Sequence, residues 1–126
     1  MDFDRQCMLG FATGAAELAW RYTQERTQFG TPICAHPSVR HDLVDARTQL
    51  QACRHRLYHA AWLAHEGRPC SVVTSMAKLF IRDTAVQIVL ECQQVVGAYG
   101  TARDYDMERY VRDLLVMAIV GASSKI

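Results

Sequence analysis

Two glycine-bounded corners hold the groups best suited to gripping an anion. The first is Glu25-Arg26-Thr27-Gln28-Phe29-Gly30. An arginine in the last turn of a helix is favoured by the helix dipole alone. The same guanidinium also suits a phosphate, which it can hold through two parallel hydrogen bonds. The second corner is Gln93-Gln94-Val95-Val96-Gly97-Ala98-Tyr99-Gly100. A glycine-rich turn lets a backbone approach a ligand closely and offers N–H groups to it. It follows a helix rather than a strand, so the dinucleotide fingerprint of a parallel sheet does not apply. Taken alone, these residues are explained most simply by a helix–helix turn.

Other reactive residues form weaker sets. His55 and His59 lie one turn apart and supply half a metal site, with no cysteine or carboxylate at a spacing that completes it. Cys70 beside Pro69 opens a helix, but no neighbouring base makes it a nucleophile. Asp104, Asp106 and Glu108 interleave with Arg103, Arg109 and Arg112, a pattern that capping and surface ion pairs explain.

The elements that position these corners are helical. Apolar residues recur at steps of three and four from Asp4 to Gln28, at Cys7, Met8, Phe11, Ala15, Leu18, Ala19 and Tyr22. Gly10 and Gly14 interrupt that pattern one turn apart, which predicts the close approach of another helix backbone. Phe29-Gly30-Thr31-Pro32 stops the first helix. The second runs from Pro37 to about Glu66, with Val39, Leu43, Ala46, Leu50, Cys53, Leu57, Ala60 and Ala64 on one face. A third, from Ser71 to Val96, is apolar on most of its circumference, as a helix central in its bundle or buried between subunits would be. The fourth runs from Met107 to Ala118, with Tyr110, Val111, Leu114 and Leu115 on its apolar face. No stretch reads as a strand. The expected fold is all-α, an up-and-down four-helix bundle in one domain over residues 1–126.

Composition narrows the function. Of 126 residues, half are apolar and about a fifth charged, and the formal net charge is +1. Acids and bases interleave, so there is no basic stripe for nucleic acid. No apolar run approaches the roughly 20 residues that span a bilayer. The acidic start Met1-Asp2-Phe3-Asp4 is unlike a targeting segment. Cys7, Cys34, Cys53, Cys70 and Cys92 are odd in number and widely spaced, as reduced thiols of an intracellular, cytoplasmic protein are.

Taken in order, these segments resemble one family. Tyr22 to Ile33 resembles its Y-x-x-x-R-x-Q-F-G-x-P-I signature, and Ser75-Met76-Ala77-Lys78-Leu79-Phe80 its S/A-M-A-K-x-F helix. Gln94 to Gly100 resembles Q-x-x-G-G-x-G, and Asp104 to Asp113 resembles D/E-Y-x-x-E-R-x-x-R-D. The family is the acyl-CoA dehydrogenases, and the likeness covers almost the whole chain. It implies the C-terminal helical-bundle domain of an FAD-dependent oxidoreductase that converts acyl-CoA thioesters to enoyl-CoA. The N-terminal helical and middle β domains of that family are not in this sequence, and acyl-CoA is expected to bind only with them. The resemblance implies that Arg26, Gln28, Phe29, Gln94, Gly97, Ala98, Gly100 and Ser123 meet FAD, and that the chain forms a homo- or hetero-oligomer.

Departures from the family pattern are informative. Pro37 stands where a glutamine is common, and Ala98 replaces the second glycine of the G-G-x-G turn. Ile119 to Ile126 aligns with I-Y-E-G-T-S-E/Q-I, which puts Gly121 where many members carry the glutamate base. Glycine cannot abstract a proton. Asp4, beside Arg5, is displaced by one helical turn from the alternative base position of other members. The expectation is therefore a domain that keeps its cofactor grip without a base of its own. The alternative is a non-catalytic helical partner of a dehydrogenase assembly.

Overall fold

The computed structural model describes residues 3–120. Four helices make the bundle: α1 (Phe3–Glu25), α2 (Pro37–His65), α3 (Ser71–Val96) and α4 (Met107–Val120). The most extensive packing joins α1 to α3, and α2 and α4 each lie against both of that pair while scarcely meeting each other. The all-α expectation holds. So does the central place of α3, which touches every other helix.

Small side chains let this pair of helices approach closely. Ala12, Ala15 and Ala19 of α1 are buried, as are Ala77, Ala85 and Cys92 of α3. Ile81, Ile88, Met107 and Leu114 fill the remaining core, and removing any of them would cost several kcal/mol, on the order of 2–5. On α2 the buried face is Leu43, Ala46, Leu50, Cys53, Leu57, Ala60 and Leu63. The expected seam therefore ends one residue early, because Leu63 turns inward and Ala64 faces solvent. Leu115, expected on the inner face of α4, is exposed as well, while Met107, Leu114 and Ala118 are inside.

The glycine pair in α1 divides. A Cβ on Gly14 would fall 2.8 Å from the Tyr110 ring, so the close neighbour there is an aromatic side chain of α4 and not a backbone. Nothing lies within 4 Å of the corresponding point on Gly10.

The first helix is shorter than its periodicity predicts. It ends at Glu25, and Thr27–Gln28 then pairs antiparallel with Thr31–Pro32, as two two-residue strands (β1 and β2) in a miniature hairpin. Phe29 and Gly30 form its tip with φ of 54° and 80°. Positive φ at both central residues is the twist that a two-residue hairpin loop requires. The usual Asn-Gly or Asp-Gly pair is absent, so the local sequence hides the hairpin. Backbone bonds from the Arg26 N–H to the Tyr22 carbonyl (2.9 Å) and from the Ile33 N–H to the Arg26 carbonyl (2.8 Å) fasten it to the helix end.

Candidate functional site

Both corners sit at the same end of the bundle. α1 and α3 deliver them there side by side: Tyr22, one turn before Arg26, packs its ring 6.2 Å from that of Tyr99 and 6.3 Å from that of Tyr105. Tyr99 and Tyr105 are themselves 5.6 Å apart. Aromatic pairs at such separations contribute about 0.5–1.5 kcal/mol each beyond the area they bury. The three rings form a platform, and the Arg26 guanidinium lies above it, 6.0 Å from the centre of the Tyr99 ring. Arg26 is not in the last helical turn, as its sequence position suggests; it follows the helix and is exposed, as Glu25 also is.

The hairpin tip presents an aromatic side chain outward. Phe29 is 88% exposed, although positive φ is an uncommon and costly conformation for a non-glycine residue. Its ring meets that of His36 edge-on at 6.1 Å. Gln28 pairs with Thr31 in the hairpin, and its carbonyl lies 3.4 Å from His36 Nε2. Pro37, where the family often carries glutamine, is the first residue of α2 behind the His36 cap and has no side-chain donor to offer.

The second corner differs from an open glycine loop. Residues Gly97–Thr101 continue as a 3-10 turn, and the Gly97 N–H donates to the carbonyls of Gln93 and Gln94. That amide is therefore spent inside the helix end. Gly97 has φ of 70°, which only glycine adopts cheaply. Gly100 is buried, and a Cβ there would come within 3.2 Å of Gln93. Its lack of a side chain serves packing. Ala98 is exposed at the tip, and its carbonyl accepts from the Thr101 hydroxyl at 2.8 Å. Gln94, one helical turn before Ala98, is exposed with its amide open to a ligand. Asp4 is elsewhere: it lies in the first turn of α1, roughly 33 Å from Arg26 along the helix axis. Gly121 and Ser123 lie outside the described residues.

The weaker sets do not assemble. His55 meets Gln51, and His59 stacks on Trp62. Among the described residues, no group of three or more histidines, cysteines or carboxylates is placed to hold a metal. The acidic and basic run makes surface pairs, Arg109 with Asp106 at 3.4 Å and Arg112 with Glu108 and Asp113 at 3.4 and 3.2 Å. Cys53 and Cys92 are buried, as their apolar positions predict. Burial, and then the neighbouring Glu91, pushes the Cys92 thiol up to about 12. Burial also raises that of Cys53, against smaller opposing effects of Thr84 and Arg56. Among the described residues no helix is long and apolar enough to cross a membrane.

Sequence reasoning missed the tyrosine platform. Tyr22 reads as one more apolar-face residue, and nothing local pairs it with Tyr99 or Tyr105. What the corner offers chemically is a cation, an open carboxamide and two outward aromatic surfaces at one end of the bundle. A polyanionic ligand with a flat ring suits that set.

Comparison with known proteins points to one family. The model of the acyl-CoA dehydrogenase C-terminal domain matches residues 5–126. An acyl-CoA dehydrogenase of Bacillus subtilis is 42% identical over 118 residues, 94% of this chain and 31% of that protein. Butyryl-CoA dehydrogenase from Megasphaera elsdenii superposes with a TM-score of 0.89 at 34% identity, over 92% of this chain and 30% of that one. The FAD complex of PigA does so with a TM-score of 0.84 at 28% identity, over 89% of this chain and 29% of that one. The chain thus spans about a third of the length of the relatives it matches.

Proposed function

The chain belongs to the acyl-CoA dehydrogenase family, through the C-terminal domain of that family, and from that premise we propose that it supplies one wall of an FAD site. The observation that carries this reading is the position of Arg26 over Tyr99, which unites the two family motifs in one anion-gripping corner. Arg26 pairs with the pyrophosphate, and the Gln94 carboxamide hydrogen-bonds beside it. Phe29 packs against a ring of the cofactor, which explains why a strained turn holds an apolar side chain in solvent. Gln28, Gly97 and Ala98 shape the edges of the corner, and Gly100 supports it from inside. Ser123 joins the same set through the family motif alone.

FAD supplies a two-electron acceptor when bound. The whole enzyme is an oxidoreductase that takes hydrogens from the α and β carbons of an acyl-CoA thioester, and it needs the family's other domains to hold that substrate. This chain's own residues hold and orient; with Gly121 at the usual base position, they do not abstract the proton. Asp4, a helix length from the corner, is no part of that grip.

The aligned Gly121 favours a second reading, in which the chain is a non-catalytic partner within a dehydrogenase assembly. Val72, Met76 and Leu79 are exposed on α3 and give such an assembly an apolar surface to cover. Light scattering is expected to return a dimer or larger, and a clean monomer contradicts assembly. One experiment tests the loss of the base that both readings assume. Co-expressed with family domains that lack their own bundle, a Gly121→Glu chain is expected to gain acyl-CoA-dependent flavin bleaching that the unaltered chain lacks. Equal bleaching by both places the base elsewhere.

A further inference from the structure

We propose that the groove between α1 and α2 is a second anion site, separate from the Arg26 corner and suited to a nucleoside phosphate. The groove is open and encloses about 560 Å³, within the range of roughly 300–1,000 Å³ typical of small-ligand sites. Its floor is apolar, formed by the buried Leu43 and Leu50, and Trp20 stands in its wall at 40% exposed. Arg21, Arg47 and Arg54 line it against a single carboxylate, Glu17.

The gathering of three arginines on one groove is what sets it apart; among the described residues Arg103 has no partner either, but it lies outside the groove. Elsewhere, Arg40 donates to the Cys34 and Ala35 carbonyls, Arg56 lies over Phe80 and Arg68 over Trp62, while Arg109 and Arg112 hold carboxylates. Among the described residues, Arg21, Arg47 and Arg54 have no hydrogen-bond, ion-pair or ring partner. Arg21 and Arg47 are exposed, and Arg54 is half-buried with its guanidinium still reaching solvent, so all three are open to a ligand. A bound anion supplies the partner that these charges lack.

Dimensions choose the ligand class. The α1 side of the groove runs from Thr13 to Arg21, about 12 Å along the axis. Arg47 and Arg54 are two turns apart on α2, about 10 Å. That is the span of one nucleotide and is short for a docked helix of several turns. α1 and α2 run antiparallel, so Arg21 and Arg47 share one end and take the phosphate. Trp20 and the leucine floor take the base, because stacking on an indole and removal from water both favour a flat ring.

Titration calorimetry of the chain with AMP tests this, with adenosine and inorganic phosphate as the two half-ligands. AMP is expected to bind with saturation and more tightly than either half. Arg21→Glu with Arg47→Glu is expected to weaken it by at least about tenfold, the worth of one charge-assisted hydrogen bond. Arg21→Gln with Arg47→Gln, which removes the charge and keeps a polar side chain, replaces that variant if circular dichroism shows the first to be misfolded. Because the Arg26 corner is itself read as gripping the phosphates of FAD, the titrations are run on Arg26→Ala, where AMP binding is expected to persist with saturation. The proposal is overturned by AMP binding that survives both double variants in that background, or by the absence of AMP binding from that background. It is overturned equally if AMP binds no tighter than inorganic phosphate, or if only an acidic peptide binds.

Discussion

The guanidinium of Arg26 lies 6.0 Å above the centre of the Tyr99 ring, so the end of the first helix is tied to the turn after the third. Each residue belongs to a different family motif, and neither motif alone makes a site. An exposed cation–π contact is worth about 0.5–1 kcal/mol, enough to bias the direction of a guanidinium without immobilising it. Tyr99→Phe is expected to keep that bias and Tyr99→Leu to lose it. In a double-mutant cycle with Arg26→Ala, thermal denaturation should give a coupling of about 0.5–1 kcal/mol for the Leu series and near zero loss for Phe. Equal effects of Phe and Leu would show that the ring face does not hold Arg26.

The two glycines of α1 should respond to alanine with opposite signs. At Gly14 a new Cβ meets the Tyr110 ring at 2.8 Å, and overpacking of this kind typically costs about 1–3 kcal/mol. Gly10 has open space around it, so alanine there should stabilise by up to about 1 kcal/mol through helix propensity. Urea unfolding of each variant measures the difference. Destabilisation of both by similar amounts would place a second close neighbour at Gly10.

Phe29 separates stability from binding. Asn tolerates positive φ better than Phe, so Phe29→Asn should hold or raise stability by a few tenths to about 1 kcal/mol. The same change removes the outward ring and should weaken flavin binding. A variant that loses stability and keeps its flavin affinity would assign Phe29 to folding alone.

Alkaline pH should act through the buried thiols. Cys92 is raised to about 12 and Cys53 is raised as well, chiefly by burial. For an acid whose folded pKa lies above its unfolded value, the folded state loses stability as pH climbs past the unfolded value. That stability is therefore intact below about pH 8.5, the ordinary thiol value, and declines progressively toward pH 12. Cys53→Ala with Cys92→Ala should flatten this decline, as measured by stability against pH from 7 to 11. An unchanged slope would assign the alkaline loss to other groups.

Much of the fold is legible in the sequence because its helices are long and periodic. The α2 face from Leu43 to Ala60 and the boundaries of α3 follow directly from spacing and from the Gly–Pro stops. What escapes is decided by tertiary geometry. The hairpin at Phe29-Gly30 needs two positive φ angles, and only Gly30 announces one. Gly100 reads as a ligand-facing glycine, yet it is buried against Gln93. The tyrosine platform joins residues that no local window contains. At the site, motif order singles out Arg26 and Gln94, which are both exposed, while their common placement at one end of the bundle emerges only once α1 and α3 are packed.

The central claim is that the corner around Arg26 grips FAD, and fluorescence titration of the purified chain with FAD tests it most directly. The unaltered chain is expected to bind FAD with saturation, and Arg26→Ala to weaken binding by about ten- to a hundredfold, as loss of a charge-assisted hydrogen bond implies. Failure of the unaltered chain to bind FAD, alone and with a partner subunit, or equal affinity of Arg26→Ala, would contradict it.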